Sequence, residues 1–155
     1  MAKAVEVSDM KVIVFQLMNK EYAIGLDVVE SIEKSLSITR VPRMPSYVKG
    51  VLNLRGVVTP VVDLRERFDM EPKEFDESSC IIIVSHADSE VGLIVDDAND
   101  VMDVPTSVIG PQPEVVGSVE SEFISGVAKV DKRLLVMLNL EKVLQPIKKV
   151  NADEL

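Results

Sequence analysis

The chain has 155 residues, of which 46% are hydrophobic and only 4% aromatic, and its formal net charge is -9. This length suits one domain or two small ones with a buried core, while many β-branched residues, no Trp and an acidic balance disfavour a nucleic-acid-binding platform. Because no apolar run reaches the ~20 residues that cross a bilayer, no signal peptide is evident and one cysteine excludes an internal disulfide, we expect a soluble cytoplasmic protein.

The N-terminal part of the chain predicts short strands separated by turns. Residues 11–17 and 21–25 read as two strands of a hairpin. The apolar residues of segment 26–32 have mixed spacing, so that a helical turn and a twisted strand both remain open there. Residues 36–41 alternate as a further strand before two prolines, which favour extended, turn-prone backbone.

The middle of the chain predicts a second hairpin and a connector. Residues 50–54 and 57–64 are apolar runs joined by a tight turn. Pro60 has no backbone N–H to donate, which favours an edge strand or a bulge over a central strand. A brief helix is expected at 64–68, and the charged segment 69–78 reads as the boundary between two units.

The C-terminal part repeats this layout. Residues 80–85 and 90–95 resemble the first hairpin, residues 123–130 and 134–138 form another strand pair, and 141–145 predicts a short helix that Pro146 ends. Many short strands with closely spaced turn signals suggest small antiparallel barrels.

An internal repeat underlies this similarity. The segment 47–64 reads again at 123–140, an offset of 76 residues (123 − 47), with an aromatic start, a glycine and two apolar strands in register. The copies differ at the central turn, which is Asn53 to Gly56 in the first and Lys129 to Lys132 in the second. The fold alone therefore does not demand Arg55.

Residues typical of catalysis or cofactor binding are not arranged for those roles. The glycines form no phosphate-binding loop, the only histidine, His86, lies in a polar turn, and Cys80 lies within a strand. The acidic residues between Asp96 and Asp103 lack the ligand spacing and the glycine of a calcium loop. We therefore predict no enzyme activity, no metal and no cofactor.

The informative charges lie in the first copy of the repeat. Between Arg40 and Arg67, six basic residues stand against two acidic ones. Arg55, next to Gly56, places a permanently charged fork on a tight turn, where it is able to bind a partner's carboxylate. Pairing with Asp63 or Glu66 on its own surface is the alternative, and both remain open.

The long motif Lys49-Gly50-Val51-Leu52-Asn53-Leu54-Arg55-Gly56-Val57-Val58-Thr59-Pro60-Val61-Val62-Asp63-Leu64-Arg65 closely resembles the signature of the CheW family of bacterial chemotaxis coupling proteins. Residues 22–25, 91–96 and 123–127 extend the likeness over nearly the whole chain. The resemblance implies an all-β, CheW-like fold with short helices, made of two intertwined five-stranded SH3-like β-barrels. We expect the subdomains at approximately 15–70 and 79–140, joined by a strand at 11–14, with a C-terminal helix at 140–146.

The resemblance also implies a function. CheW proteins are non-catalytic adaptors that join the regulatory domain of the chemotaxis histidine kinase to the cytoplasmic tips of chemoreceptors, in arrays at the membrane. Related coupling domains of larger kinases or adaptors are the alternative, and a small β-barrel nucleic-acid binder is a more distant one. By resemblance, partner contacts are expected at Val29, Ile32, Gly50, Asn53, Arg55, Gly56, Cys80, Ile81 and Val101. One departure concerns Glu30 in Val29-Glu30-Ser31-Ile32, which is displaced by one position from the acidic residue that the family often has.

Overall fold

In the residues that the structure describes, the protein is a two-sheet β structure with two short helices. The computed structural model describes residues 9–34, 37–86, 88–111 and 123–144. The elements are β1 (Asp9–Leu17), β2 (Lys20–Gly25), a 3-10 turn (Leu26–Val28), β3 (Val29–Glu33), β4 (Val48–Leu54), β5 (Val57–Asp63), α1 (Leu64–Arg67), β6 (Cys80–His86), β7 (Ser89–Val95), β8 (Asp97–Pro105), a second 3-10 turn (Thr106–Val108), β9 (Ile109–Gly110), β10 (Ile124–Val130), β11 (Arg133–Leu138) and α2 (Leu140–Leu144).

The two halves of the chain exchange their first hairpins. Sheet A has the strand order β8-β1-β2-β11-β10-β9, and sheet B has the order β3-β6-β7-β5-β4. Sheet A thus takes the β1–β2 hairpin from the N-terminal half, and sheet B takes the β6–β7 hairpin from the C-terminal half. Each sheet therefore needs strands from both halves of the chain, as intertwined subdomains require, and the expected bounds of 15–70 and 79–140 do not by themselves delimit a sheet.

The exchanged hairpins are joined to their sheets in the same way. β7 pairs in parallel with β5, where Val62 lies opposite Leu93, and β2 pairs in parallel with β11, where Val136 lies opposite Tyr22. Every other strand pair is antiparallel in the part of the chain that is described. The repeated segment therefore meets its exchanged partner in each sheet through an equivalent ladder.

The described residues form one large central core cluster and two smaller ones. Along β6, the buried residues Cys80, Ile82 and Val84 belong to the central cluster, whereas Ile81 and Ile83 belong to the inner cluster of sheet B. The central cluster also contains Ile13 and Phe15 from β1 of sheet A, so it joins the two sheets. Both faces of each sheet are thus buried over these strands, which explains why they read as continuous apolar runs.

Helices α1 and α2 occupy equivalent places in the repeat. The Asp63 carboxylate accepts the backbone N–H of Arg65 (3.0 Å), and the side-chain oxygen of Asn139 accepts that of Lys142 (3.2 Å). Each cap satisfies a backbone donor at a helix start that has no partner within the helix. The short helices predicted after each copy are therefore present, and each begins directly after its cap.

Two local expectations change, and one open choice is resolved. Pro60 lies in β5, which has a strand on each side, but the ladder with β7 begins at Val61, so that the missing N–H breaks no hydrogen bond there. Residues 37–41, the described part of the strand expected at 36–41, form only an isolated bridge between Thr39 and Val51. Segment 26–32 contains both the 3-10 turn and a strand.

Candidate functional site

The turn between β4 and β5 presents the charge of Arg55 to solvent. Arg55 (φ 50°) and Gly56 (φ 82°) both have left-handed backbone, and the Asn53 side-chain oxygen accepts the Gly56 N–H at 3.0 Å. Two left-handed residues are typical of the tight hairpin turn that matches strand twist, and glycine adopts this conformation without steric strain. Asn53 and Gly56 therefore shape the turn, and the exposed Arg55 occupies its tip.

The acidic residues proposed as internal partners of Arg55 are engaged elsewhere. Asp63 is only 8% exposed and caps α1, and Glu66 forms an ion pair with Lys49. Within the described ranges, Arg55 forms no ion pair. Its guanidinium is therefore available to a partner's carboxylate or backbone carbonyls.

Asp63 is held in an environment that opposes its charge. Burial raises the pKa of its carboxyl group above the ordinary value of 3.8, against the lowering effects of the Arg65 backbone N–H and of Lys49. Asp63 is consequently a poor candidate for a partner-binding charge, and its role is the capping of α1.

Three of the predicted apolar contact residues lie on edge strands and on the faces that meet between the sheets. Ile32 of β3 lies opposite Ile82, and Val29 lies opposite Val84, both of which are in the central core. On the other sheet, Val101 of β8 lies opposite the central-core residue Ile13. Since directly paired residues share a face, Val29, Ile32 and Val101 extend the central core toward the surface. We call these three residues the junction band.

The outer part of the junction band is exposed. Ile32 is 42% and Val101 is 52% exposed, whereas Val29 is half-buried against the central core. Because β3 and β8 each lie at one edge of their sheet, apolar side chains here meet solvent beside a strand edge. Such a band is able to pack against the apolar face of a helix.

Cys80 lies in the central core beside residues of both sheets. It is buried at the start of β6, and Ala98 of β8 packs against the same cluster. Burial raises the pKa of this thiol, although Lys34 and the Ala98 N–H oppose the effect. Cys80 therefore marks the place where sheet B meets β8 of sheet A.

Burial corrects the expected partner contacts of Cys80 and Ile81. Both are 1% exposed, because successive residues of β6 point into the central core and into the inner core of sheet B. Their side chains contact the protein's own interior. The sequence correctly predicted a strand at these residues. An apolar run does not show, however, whether a face of that strand is covered by the rest of the protein.

Gly50 is also a structural residue rather than a surface one. It is buried, its φ is 151°, and a Cβ there would overlap the Thr39 carbonyl oxygen. The Thr39 and Val51 backbones exchange hydrogen bonds of 2.8 and 2.9 Å beside it. Glycine is required because the segment at 37–41 approaches β4 so closely.

A bidentate ion pair that sequence reasoning missed joins α1 to the connection between β7 and β8. Arg65 donates from Nε and Nη2 to the Asp96 carboxylate (2.8 and 2.5 Å), which also accepts the Met18 N–H at 3.0 Å. Burial raises the pKa of Asp96, but the bonds from Arg65 and Met18 outweigh burial and hold that pKa below its ordinary value. Nothing in the local pattern of either residue signals a partner 31 positions away.

Metal-holding clusters and membrane-spanning helices are not found in the described segments. No group of three or more His, Cys, Asp or Glu residues is arranged there to hold a metal ion. Over the same residues, no helix has both the length and the apolar character needed to cross a bilayer.

Comparisons with known proteins agree with this geometry. Residues 11–148 match the CheW-like domain family. The chain is 46% identical to Chemotaxis protein CheW of Bacillus subtilis over 86% of both chains, and 33% identical to Chemotaxis protein CheW of Klebsiella aerogenes over 85% of this chain and 80% of that one. The crystal structure of the scaffolding protein TtCheW from Thermoanaerobacter tengcongensis superposes with a TM-score of 0.83 at 32% identity, covering 96% of this chain and 98% of that one.

Proposed function

Since this chain belongs to the CheW-like domain family, we propose that it is a non-catalytic chemotaxis adaptor that couples transmembrane chemoreceptors to the chemotaxis histidine kinase. The observation that carries the proposal is the likeness over nearly the full length of relatives named Chemotaxis protein CheW. An exposed apolar band and an outward-facing arginine, both without a covering element among the described residues, agree with a protein that works by binding.

The receptor partner is proposed to be the helical cytoplasmic tip, and its site the junction band. Ile32 and Val101 offer exposed apolar area on one edge strand of each sheet, and helices bind such surfaces through apolar residues three and four positions apart. Arg55, Asn53 and Gly56 lie on the β4–β5 turn, and Val29 is at the same end of sheet B, because β3 starts opposite the end of β6. Arg55 would add a charged contact beside the apolar one.

The kinase partner is proposed to be its regulatory domain. An adaptor must bind receptor and kinase together, with individually modest affinities raised by the many copies in an array. We accordingly propose that the protein works in the cytoplasm and is recruited to receptor arrays at the membrane.

Co-sedimentation tests the adaptor function. The purified protein is mixed with a receptor cytoplasmic fragment, with the kinase, and with both, and each mixture is centrifuged. We expect binding to each partner alone and a ternary complex that brings more kinase into the receptor pellet. Failure to bind either partner would contradict the proposal.

Single substitutions test the junction band. Ile32→Asp and Val101→Asp place a charge where apolar contact is proposed, and each is expected to weaken receptor binding by about tenfold or more. Leu134→Asp is the matched control, because Leu134 is 55% exposed on β11 and lies outside the band. Equal binding by all three variants would show that the receptor contacts another surface.

A further inference from the structure

Aromatic residues are scarce in this chain, and four of them form one column of neighbouring rings. Phe15 stacks on Tyr22 (ring centroids 5.9 Å apart), Tyr22 meets Phe68 at a tilted angle (6.1 Å), and Phe68 stacks on Phe123 (5.2 Å). These rings are nearly or fully buried in the central core. The column therefore starts in the β1–β2 hairpin of sheet A and passes the end of α1, which follows β5 of sheet B.

Arg67 completes the column. Its guanidinium carbon lies 4.3 Å from the centroid of the Phe123 ring and 4.6 Å from that of the Tyr47 ring. Tyr47 precedes β4 of sheet B and Phe123 precedes β10 of sheet A, and the two are equivalent in the repeat. The same cation is thus attracted to the aromatic residue that leads into each sheet.

Hydrogen bonds fix the guanidinium between the rings. Arg67 donates from Nε to the Val143 carbonyl (3.0 Å) and from Nη2 to the Lys142 carbonyl (3.4 Å). Both carbonyls belong to the last turn of α2, where backbone acceptors lack helical partners and a cation is favoured. A lysine has no planar fork for two such bonds while lying flat on two rings.

We call the contacts of Arg67 with Tyr47, Phe123 and α2 the Arg67 clamp. The position of this clamp relates it to the junction band. The column lies in the central core, and the band adjoins that core, since the residues opposite Ile32 and Val101 are members of it. A change in the angle between the sheets at the column must move β3 of sheet B relative to β8 of sheet A. The spacing of the exposed residues Ile32 and Val101 depends on that angle.

We propose that Arg67 is a positioning residue that holds the two sheets at the angle at which the junction band accepts its partner. The binding part of this inference rests on the proposed function. Arg67 acts through Tyr47, Phe123 and α2, and it stabilises one arrangement of two packed bodies without contacting the receptor.

The first test measures the angle directly, without any partner. Spin labels are placed at Glu30 on β3 and Lys129 on β10, both exposed, and the distance distribution is compared between the parent protein, Arg67→Met and Arg67→Lys. We expect a shifted or broadened distribution for Arg67→Met and a smaller change for Arg67→Lys, which keeps the cation but loses the fork. Arg133→Met is the control, because Arg133 pairs with Glu21 and Asp100 within sheet A.

The second test measures receptor binding by the same variants. Arg67→Met is expected to weaken receptor-fragment binding by roughly fivefold to tenfold, with Arg67→Lys intermediate and Arg133→Met unchanged. An unchanged distance distribution in Arg67→Met overturns the inference, as does a loss of binding without a change in distance. If Arg67→Met does not fold, the distance distribution and the receptor binding of Arg67→Lys are judged by the same criteria. If the parent protein binds no receptor, the adaptor proposal fails, while the distance measurement still decides the clamp.

Discussion

The β4–β5 and β10–β11 turns are copies of one structure that have been put to different uses. Each joins two strands over two residues and begins with a left-handed residue, Arg55 (φ 50°) or Asp131 (φ 56°). Beyond the second turn, Arg133 is held by the carboxylates of Glu21 (2.8 Å) and Asp100 (3.0 Å). The charge at the first turn has no such partner among the described residues.

This difference separates what the fold requires from what binding requires. A glycine at 50 and 126, a cap at 63 and 139 and apolar strands are present in both copies. An outward arginine is present in only one. The second copy forms its strand pair without an arginine at the turn. Arg55 is therefore not needed for the strand pair of the first copy and is free to contact a partner.

The largest expected effect comes from the shared glycines. Gly50→Ala should lower the free energy of unfolding by about 3 kcal/mol, since the methyl group overlaps the Thr39 carbonyl and φ is unfavourable. Gly126→Ala should cost about 2 kcal/mol, because its Cβ would lie 2.6 Å from the Gly110 carbonyl oxygen with no such φ. Urea denaturation measures both. If either variant were as stable as the parent, the close backbone approach at that glycine would not be a requirement that the two copies share.

An intermediate effect is expected from the ion pair of the second copy. Arg133→Met should lower stability by about 1 kcal/mol, because surface pairs contribute little individually, and the difference should shrink at about 1 M salt. Thermal unfolding at low and high salt measures this. A loss that salt leaves unchanged would show that packing, not charge, holds this turn.

The smallest effect concerns the helix caps. Asp63→Asn gives the first copy the cap of the second, and it should raise stability at pH 7 by about 0.5 kcal/mol, because burial raises the pKa of Asp63 and so disfavours its charged form in the fold. The folded carboxyl binds its proton more tightly than the unfolded one. The gain should therefore be full above the folded pKa and vanish as the pH falls below about 3.8. A gain that persists at pH 3 would contradict this cause.

Local features of this fold were predictable from the sequence, and the pairing of distant parts was not. The hairpin at 11–25, the Arg55-Gly56 turn and the capped helices follow from turn chemistry and apolar spacing. The exchange of hairpins does not, because a strand such as β6 with two apolar faces fits either sheet. The burial of Ile81 and the pairing of Arg65 with Asp96 likewise depend on which segments meet in space.

Some residues of the candidate site were likewise predictable from the sequence, and others were not. Asn53, Arg55 and Gly56 were recognisable from the sequence because they interrupt the repeat. The exposure of Ile32 and Val101 follows only from the edge positions of β3 and β8. The Arg67 clamp was invisible because its ring partners, Tyr47 and Phe123, come together only when the sheets pack.

The most direct test of the account is the dissociation constant of a receptor cytoplasmic fragment for two charge-reversal variants, one from each turn. Arg55→Glu should weaken binding by about tenfold or more, with stability within about 0.5 kcal/mol of the parent. Lys132→Glu, which changes the exposed lysine of the second turn, should bind like the parent. Equal weakening by both variants, or normal binding by Arg55→Glu, would contradict the claim that only the first turn serves the partner.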